Sequence, residues 1–275
     1  MKQLHYCLGL PRTCSTVLMN ILNENPKIFT TSTCPVPYLI KSCHETINNT
    51  PDFASLDKDL LHKSYISFLR EGMKGWYENM TDKPIVFSKS RLWSEHFHYT
   101  FSIDSNSKYL VILRDLREIV CSFESLLWKY PEVRSSTKPF NQLSFEERME
   151  IYCTDESSLL GRPLSILPHV MEIKEKNPNN FYILRQEDFN ENPREVLQNI
   201  YVWLGQEHFE HNLDNIPKSG YYEHDNVYRS LVSHKVRSKL EKLETRWKKI
   251  MTKEQSNLVL SNNMWYYQTF YPEEL

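Results

Sequence analysis

Four short, unbroken apolar runs constrain the fold of this chain more than any other feature. They lie at residues 4–8, 84–87, 109–113 and 181–184. Strands that alternate apolar and polar residues have one face in water, whereas unbroken runs of this length are typical of strands buried on both faces. The runs therefore predict a central sheet of mostly parallel strands, covered by helices on each side.

Helical spacing of apolar residues separates these runs. It predicts helices over residues 15–23, 60–77, 116–128, 145–176, 193–204, 236–251 and 253–267, the fourth of them broken near Pro163 or Pro168. Residues 30–51 are predicted to be loop and short helix, and residues 206–230 to be irregular. Strands that alternate with helices indicate a three-layer α/β fold. No linker composition interrupts the chain, so residues 1–275 are predicted to form one domain.

Charge and composition exclude several classes of partner. The net charge is −2, so the chain lacks the broad basic field that nucleic acid or an anionic membrane would require, and any anion site must be local. No stretch approaches the roughly 20 apolar residues of a membrane span. The first eight residues are too short an apolar run for a signal peptide, which predicts a cytoplasmic protein. Six scattered cysteines without a C-x-x-C pair read as reduced thiols.

The loop after the first run, GLPRTCST at residues 9–16, is the first candidate binding site. A strand, a tight loop and a helix start together form an anion site, because free N–H groups and the helix dipole face the ligand. Compared with the Walker A pattern, Gly9 and Thr16 match the ends, Cys14 replaces the second glycine and Ser15 replaces the lysine. Losing that lysine argues against nucleoside triphosphate hydrolysis. The other interpretation is a simple turn whose hydroxyls cap the helix.

A second candidate site follows the third run. Arg114 stands where that strand should end, which is where ligands bind in open parallel sheets. Ser122 lies about two turns into the next helix, so the two side chains could hold one phosphate together. The alternative is a surface ion pair of Arg114 with Asp115 or Glu118, with Ser122 as a small packing residue.

Together these segments resemble the sulfotransferases that use 3′-phosphoadenosine-5′-phosphosulfate (PAPS). Residues 9–18 resemble the family's 5′-phosphosulfate loop, and Arg114-Asp115-x-Arg117 followed by Ser122 resembles its 3′-phosphate motif. Residues 183–189, 192–194 and 203–205 resemble further family motifs in the same order. The departures are Cys14 for a usual glycine, Leu116 for a common proline or glycine, and Gln186 for a tyrosine near the adenine. A cysteine at position 14 predicts a loop backbone that a β-carbon tolerates.

The resemblance implies a fold like that of the P-loop NTPases and sulfonyl transfer from PAPS to a hydroxyl or amine, without a metal. It assigns PAPS binding to residues of the loop, of the second site and of a late basic segment: Arg12, Thr13, Cys14, Ser15, Thr16, Arg114, Ser122 and Arg237. Arg12 and Lys89, which follows the second run, are the expected catalytic residues. Arg237 belongs to the segment His234-Lys235-Val236-Arg237, which resembles a basic loop that closes over the nucleotide.

The general base and the acceptor stay open at this point. His44, Glu45, His96 and His98 are the candidate bases, and the pair His96 and His98, which lacks a third metal ligand, is predicted to lie on a surface strand. The acceptor could be a small molecule, a carbohydrate or a peptide. Two other functions remain: a P-loop-type kinase of nucleotides or small molecules, and a non-catalytic protein that binds a 3′-phosphonucleotide.

Overall fold

Five parallel strands form the central sheet of the computed structural model, which describes residues 2–130, 140–217 and 238–275. The strands are β1 (Gln3–Gly9), β2 (Ile28–Thr30), β3 (Ile85–Lys89), β4 (Tyr109–Leu113) and β5 (Phe181–Arg185), in the spatial order β2-β3-β1-β4-β5. The four apolar runs are thus confirmed as strands β1, β3, β4 and β5, and every strand pair is parallel. Strand β1 lies at the centre, so its carboxyl end opens into the middle of the sheet edge.

Both faces of the sheet are buried. On one face Tyr6, Val86 and Val111 belong to a large apolar cluster. On the other face their neighbours Cys7 and Phe87 belong to a second cluster. Successive side chains of a strand point to opposite faces, so the absence of polar alternation in the sequence reflects helices on each side. The predicted three-layer α/β fold is confirmed.

The helices of the described residues surround this sheet. Their bounds are α1 (Ser15–Asn23), α2 (Val36–Asn49), α3 (Pro51–Ala54), α4 (Lys58–Glu78), α5 (Phe97–Ile103), α6 (Leu116–Lys129), α7 (Phe145–Thr154), α8 (Gly161–Lys176), α9 (Gln186–Glu191), α10 (Pro193–Leu204), α11 (Trp247–Ile250), α12 (Lys253–Asn262) and α13 (Met264–Phe270). Within the ranges that the structure describes, no helix has the length and apolar character that crossing a membrane would demand.

Several local predictions were wrong. Residues 36–49 form one helix, α2, and the short strand β2 was not predicted. The break in the predicted helix 145–176 falls at residues 155–160, and both prolines lie within α8. The reason is local turn chemistry, because the Asp155 carboxylate accepts a hydrogen bond from the N–H of Ser157. Pro163, in the first turn of α8, needs no N–H partner.

Two further corrections concern segments near the cavity described below. His96 and His98 do not lie on a strand, since His96 directly precedes helix α5 and His98 is within it. Residues 238–246, in the described part of the helix predicted over 236–251, are not helical. The segment is held by side chains instead: Asn190 accepts from the N–H of Leu243 and donates to its carbonyl, at 2.6 and 3.0 Å.

Candidate active site

The loop between β1 and α1 approaches the neighbouring strand more closely than a side chain permits. A β-carbon on Gly9 would lie 2.1 Å from the carbonyl oxygen of Ile112, which is its register partner on β4. Gly9 also has a φ of +127°, a conformation that side chains rarely adopt. The N–H of Leu10 then donates to the same carbonyl at 3.0 Å. These contacts place the start of the loop against the centre of the sheet.

Along the rest of the loop, residues in the left-handed backbone conformation alternate with residues outside it. Arg12 and Cys14 are left-handed, with φ of 60° and 57°, and Thr13 between them is not. Such alternation turns successive N–H groups to one side and creates a concave anion site. Cys14 is also the N-cap of α1, whose start carries neither a side-chain cap nor an acidic residue in its first turn. The first N–H groups of α1 therefore remain available to an anion.

The backbone conformation at Cys14 differs from the one predicted from its residue type. The sequence led us to expect a backbone that a β-carbon tolerates, but position 14 is in the left-handed region that glycine adopts without cost. A side chain there costs about 1–2 kcal/mol. The loop thus keeps the conformation of a glycine-containing loop, at the expense of strain at Cys14.

The two predicted anion sites meet directly. Arg114 follows the last residue of β4, is 4% exposed and donates from Nη1 to the Arg12 carbonyl oxygen at 2.7 Å. Arg12 in turn donates from Nε to the Ser122 hydroxyl at 2.9 Å. Arg114 Nη2 donates to Glu118 at 3.2 Å, while its buried Nε has no partner among the described residues. The ion pair with Glu118 considered from the sequence is therefore present, but it is buried and not on the surface.

Lys89 brings a further cation to the same place. It is the last residue of β3, and its Nζ donates to the hydroxyl of Thr16 at 2.9 Å and to the carbonyl of Ser32 at 2.6 Å. Since Thr16 is in the first turn of α1, the ammonium group lies beside the start of that helix. Strand-end placement, as expected from the sequence, positions Lys89 at the loop.

The positive charges of the site act on one another. Burial lowers the pKa of the Arg12 guanidinium, and Arg114, Arg246 and Arg91 lower it further. An arginine stays protonated at neutral pH even so, because its usual pKa exceeds 12. The site therefore concentrates cationic charge around a partly buried guanidinium, which is the electrostatic condition for binding a polyanion.

These residues line one large cavity of about 1250 Å³. Its wall includes the whole loop from Arg12 to Thr16, together with Lys89, Arg114 and Ser122. Gln186 is 4% exposed and also lines the cavity, as do Lys239 and Arg246 from the segment at residues 238–246. The structure thus brings together all of the predicted PAPS-binding and catalytic residues that it describes, the candidate bases excepted. Arg237, with His234, Lys235 and Val236, lies outside the described residues.

The four candidate bases are not on the wall of this cavity. His44 is exposed and its Nδ1 is 2.7 Å from the Tyr99 hydroxyl, while burial lowers the pKa of His96 and of His98. The acid that lines the cavity near β3 is Glu95, which was not among the residues selected from the sequence. Arg162 donates to both of its oxygens, at 2.7 and 2.6 Å, and lowers its pKa, so Glu95 is a weak base.

Other functional candidates were also missed by sequence reasoning. Arg91, Lys239 and Arg246 line the cavity, and only Arg91 follows a predicted strand closely enough to have been selected. Arg117, part of the sequence motif for the second site, is buried away from the cavity wall, where it bonds Asp115 and Glu274. No group of three or more metal-ligating side chains occurs in the ranges 2–130, 140–217 and 238–275.

A parallel sheet with a left-handed loop, an uncapped helix start and clustered cations at its carboxyl edge defines an α/β protein with a candidate polyanion site. The family model described as "Sulfotransferase domain" matches residues 7–262, and the chain belongs to the sulfotransferase family. A comparison with curated proteins found no match.

Two solved structures share the fold at low sequence identity. The sulfotransferase domain from the curacin biosynthetic pathway is 16% identical, with a TM-score of 0.56 and coverage of 95% of this chain and 97% of that one. The sulfotransferase domain from the Synechococcus PCC 7002 olefin synthase is 13% identical, with a TM-score of 0.56 and coverage of 97% and 96%. At these identities the similarity supports the α/β sulfotransferase fold and leaves the ligands to be argued from the site.

Proposed function

We propose that this protein uses PAPS as its sulfonyl donor and transfers the sulfonyl group to a hydroxyl or amine of an acceptor. The observation that carries the proposal is the contact between two anion sites, in which Arg12 of the loop donates to Ser122 and accepts from Arg114. PAPS carries two separate phosphate positions, and a nucleotide with only a 5′-phosphate chain would leave the second site unmatched.

The residues present fit such a ligand. The buried Nε of Arg114 has no partner within the described part of the chain, and a buried guanidinium donor without an acceptor is costly unless a ligand supplies one. The start of α1 lacks a cap and an acidic side chain, so it offers N–H groups to a second anion. Arg114 and Ser122 would hold the 3′-phosphate, and residues 12–16 would hold the 5′-phosphosulfate.

PAPS, when bound, supplies a sulfonyl group on a good leaving phosphate. The work of the chain is to position the reactants and to stabilise negative charge that grows as the bond to the leaving oxygen breaks. Arg12 and Lys89 are the cations at the loop, and Lys89 is already oriented by Thr16 and Ser32. The cavity walls would exclude water from the reacting groups.

Thermal stabilisation distinguishes this function from the P-loop kinase. We expect 3′,5′-ADP, the nucleotide product, to raise the Tm clearly, and ATP with Mg²⁺ to raise it little, because the loop lacks the Walker lysine that holds a triphosphate. A shift with ATP and Mg²⁺ but none with 3′,5′-ADP would contradict the proposal. Tight 3′,5′-ADP binding without sulfonyl transfer to any member of a broad acceptor panel would favour the non-catalytic binding protein.

A further inference from the structure

The topology of the sheet divides the cavity into two sides. Arg114 and Gln186 come from the ends of β4 and β5, on one side of the central strand β1. Tyr38 and Arg91 follow β2 and β3, on the other side. The loop after β1 lies between them. If the nucleotide occupies the β4–β5 side, as proposed above, the β2–β3 side is left for the acceptor.

The cavity as a whole has room for a second ligand, and part of its wall is apolar. Small-molecule sites usually measure about 300–1,000 Å³, and this cavity of about 1250 Å³ exceeds that range. Pro35, Tyr38 and Leu92 follow β2 and β3, and Leu126, Tyr130 and Leu159 from later elements also line the cavity. Tyr38 and Leu159 are 62% and 44% exposed, a high fraction for large apolar side chains. Such a wall favours a ligand with an apolar body.

Some charged groups on this side of the cavity are paired with an opposite charge, whereas Arg91 has no such partner in the described part of the chain. The carboxylate of Glu95 is paired bidentately with Arg162, so these two charges compensate each other. Arg91 lines the same cavity, yet no described residue accepts a hydrogen bond from its guanidinium or forms an ion pair with it. Burial lowers the pKa of Arg91, with the nearby Tyr38 hydroxyl acting in the opposite direction. The guanidinium is therefore partly removed from water without a compensating anion.

A planar guanidinium in this condition is suited to an oxyanion. It presents parallel N–H donors that match a carboxylate or a phosphate bidentately, and such charge-assisted pairs are about twice as strong as neutral hydrogen bonds. A neutral acceptor would leave the guanidinium without a charged partner when the ligand displaces water from the wall. The nucleotide phosphates have their own cations in Arg12, Lys89 and Arg114.

We propose that Arg91 binds an anionic group of the acceptor, and that the acceptor is an amphipathic anion: an apolar body that carries a hydroxyl or amine and a carboxylate or phosphate. This inference rests on the proposed function and names the substrate class of the same site. Arg91 is then a residue that determines specificity, with Tyr38 and Leu92 beside it as part of the apolar wall.

Ligand binding to the protein saturated with 3′,5′-ADP tests the proposal. The probes share one body and differ in charge: para-hydroxyphenylpropionate, para-hydroxyphenylethylphosphonate and para-hydroxyphenylpropionamide. We expect the better of the two anions to bind about ten- to a hundredfold more tightly than the amide, as one charge-assisted contact provides. In Arg91→Met this preference should vanish while the affinity for the amide stays the same. The double variant Glu95→Gln/Arg162→Met removes another arginine of the wall together with the carboxylate that compensates it, and should keep the preference.

Three results would overturn the inference. The first is equal affinity of the wild type for the anions and the amide. Failure to detect binding of any of the three probes counts as this result. The second is an anion preference that survives Arg91→Met. The third is a loss of 3′,5′-ADP affinity in Arg91→Met, since it would assign Arg91 to the nucleotide. Failure of the wild type to bind 3′,5′-ADP would instead contradict the proposed function itself, so the two failures are distinguishable.

Discussion

Replacing Gly9 with alanine is the most direct test of how the loop is placed. The new β-carbon would lie 2.1 Å from the carbonyl oxygen of Ile112 and 2.6 Å from its nitrogen, and both are backbone atoms of the paired strand β4. They cannot move without disturbing the β1–β4 pairing. Strain at a positive φ costs about 1–3 kcal/mol, and forcing a methyl group into a filled site costs about 1–3 kcal/mol more. We expect Gly9→Ala to lower the free energy of unfolding by about 2–6 kcal/mol.

Two other glycines of the chain provide matched controls for this measurement by denaturant unfolding. Gly205 ends helix α10 with a φ of +67°, and a β-carbon added there would meet no atom within 4 Å, so Gly205→Ala carries backbone strain alone, about 1–2 kcal/mol. Gly72 is inside helix α4 with open space around it, so Gly72→Ala should stabilise by up to about 1 kcal/mol. The expected order of stability is Gly72→Ala, wild type, Gly205→Ala and Gly9→Ala.

The comparison between Gly9→Ala and Gly205→Ala decides the argument. Equal losses of stability would mean that no close approach exists between Gly9 and β4. The placement of the loop against the sheet would then be wrong, and the contact between the two anion sites would lose its structural basis. A loss that is larger in Gly9→Ala than in Gly205→Ala supports the placement without reference to any ligand.

Two further predictions concern the nucleotide site and pH. Arg114→Lys keeps the positive charge but loses the planar guanidinium that donates to both the Arg12 carbonyl and Glu118. Calorimetry should therefore give about ten- to a hundredfold weaker binding of 3′,5′-ADP. An unchanged affinity would remove Arg114 from the site. Burial lowers the pKa of His5 to about 4, and its Nδ1 accepts a hydrogen bond from the N–H of Lys108, so the folded state holds this ring neutral. The unfolded state has a pKa near 6.5 for this histidine and therefore binds the proton first as the pH falls. The stabilisation from the neutral ring is thus fully present above pH 6.5, and up to about 3 kcal/mol of it is lost as the pH drops toward 4. His5→Gln should flatten that part of the stability–pH curve, and an unchanged slope would assign it to other groups.

The strands and the helices that follow them were predictable because their signals are local. Unbroken apolar runs located four strands, and α1 and α10 begin and end at the predicted residues, the latter with a left-handed Gly205 after its last turn. Strand β2, with three residues, is too short to show a pattern. It forms because Ile28 and Phe29 pair with β3, a contact between distant parts of the chain that no local pattern contains. The assignment of the whole chain to one domain stays a prediction.

The candidate site was predictable to the extent that it follows strand ends. Lys89 is the last residue of β3, Arg114 directly follows β4, and Arg12 lies in the loop after β1. Parallel strands bring their carboxyl ends to one edge of the sheet. Arg246 and Glu95 reach the same cavity through tertiary contacts, from the segment at residues 238–246 and from the turn before α5. Their sequence context contains no signal for it, since a charged residue between two elements is usually a solvated one.

Glu118 shows why a local interpretation of the second site was incomplete. The sequence offered two alternatives for Arg114, an ion pair with a nearby acid or a phosphate site, and the structure makes them compatible. One oxygen of the Glu118 carboxylate accepts from Arg114, and the other accepts from the N–H groups of Arg246 and Trp247. The same buried carboxylate therefore orients the arginine at the end of β4 and holds the segment at residues 238–246, which also lines the cavity.

This arrangement lowers the cost of binding an anion. An arginine free in solvent would lose rotamer freedom when it closed on a ligand, at about 0.5–1.5 kcal/mol. Arg114 has already lost that freedom to the Arg12 carbonyl and Glu118, and its Nε still has no partner among the described residues. The ion pair of Arg114 with Glu118 thus preorganises the site. The guanidinium is already fixed beside the uncapped start of α1, so an anion that binds there does not have to order it.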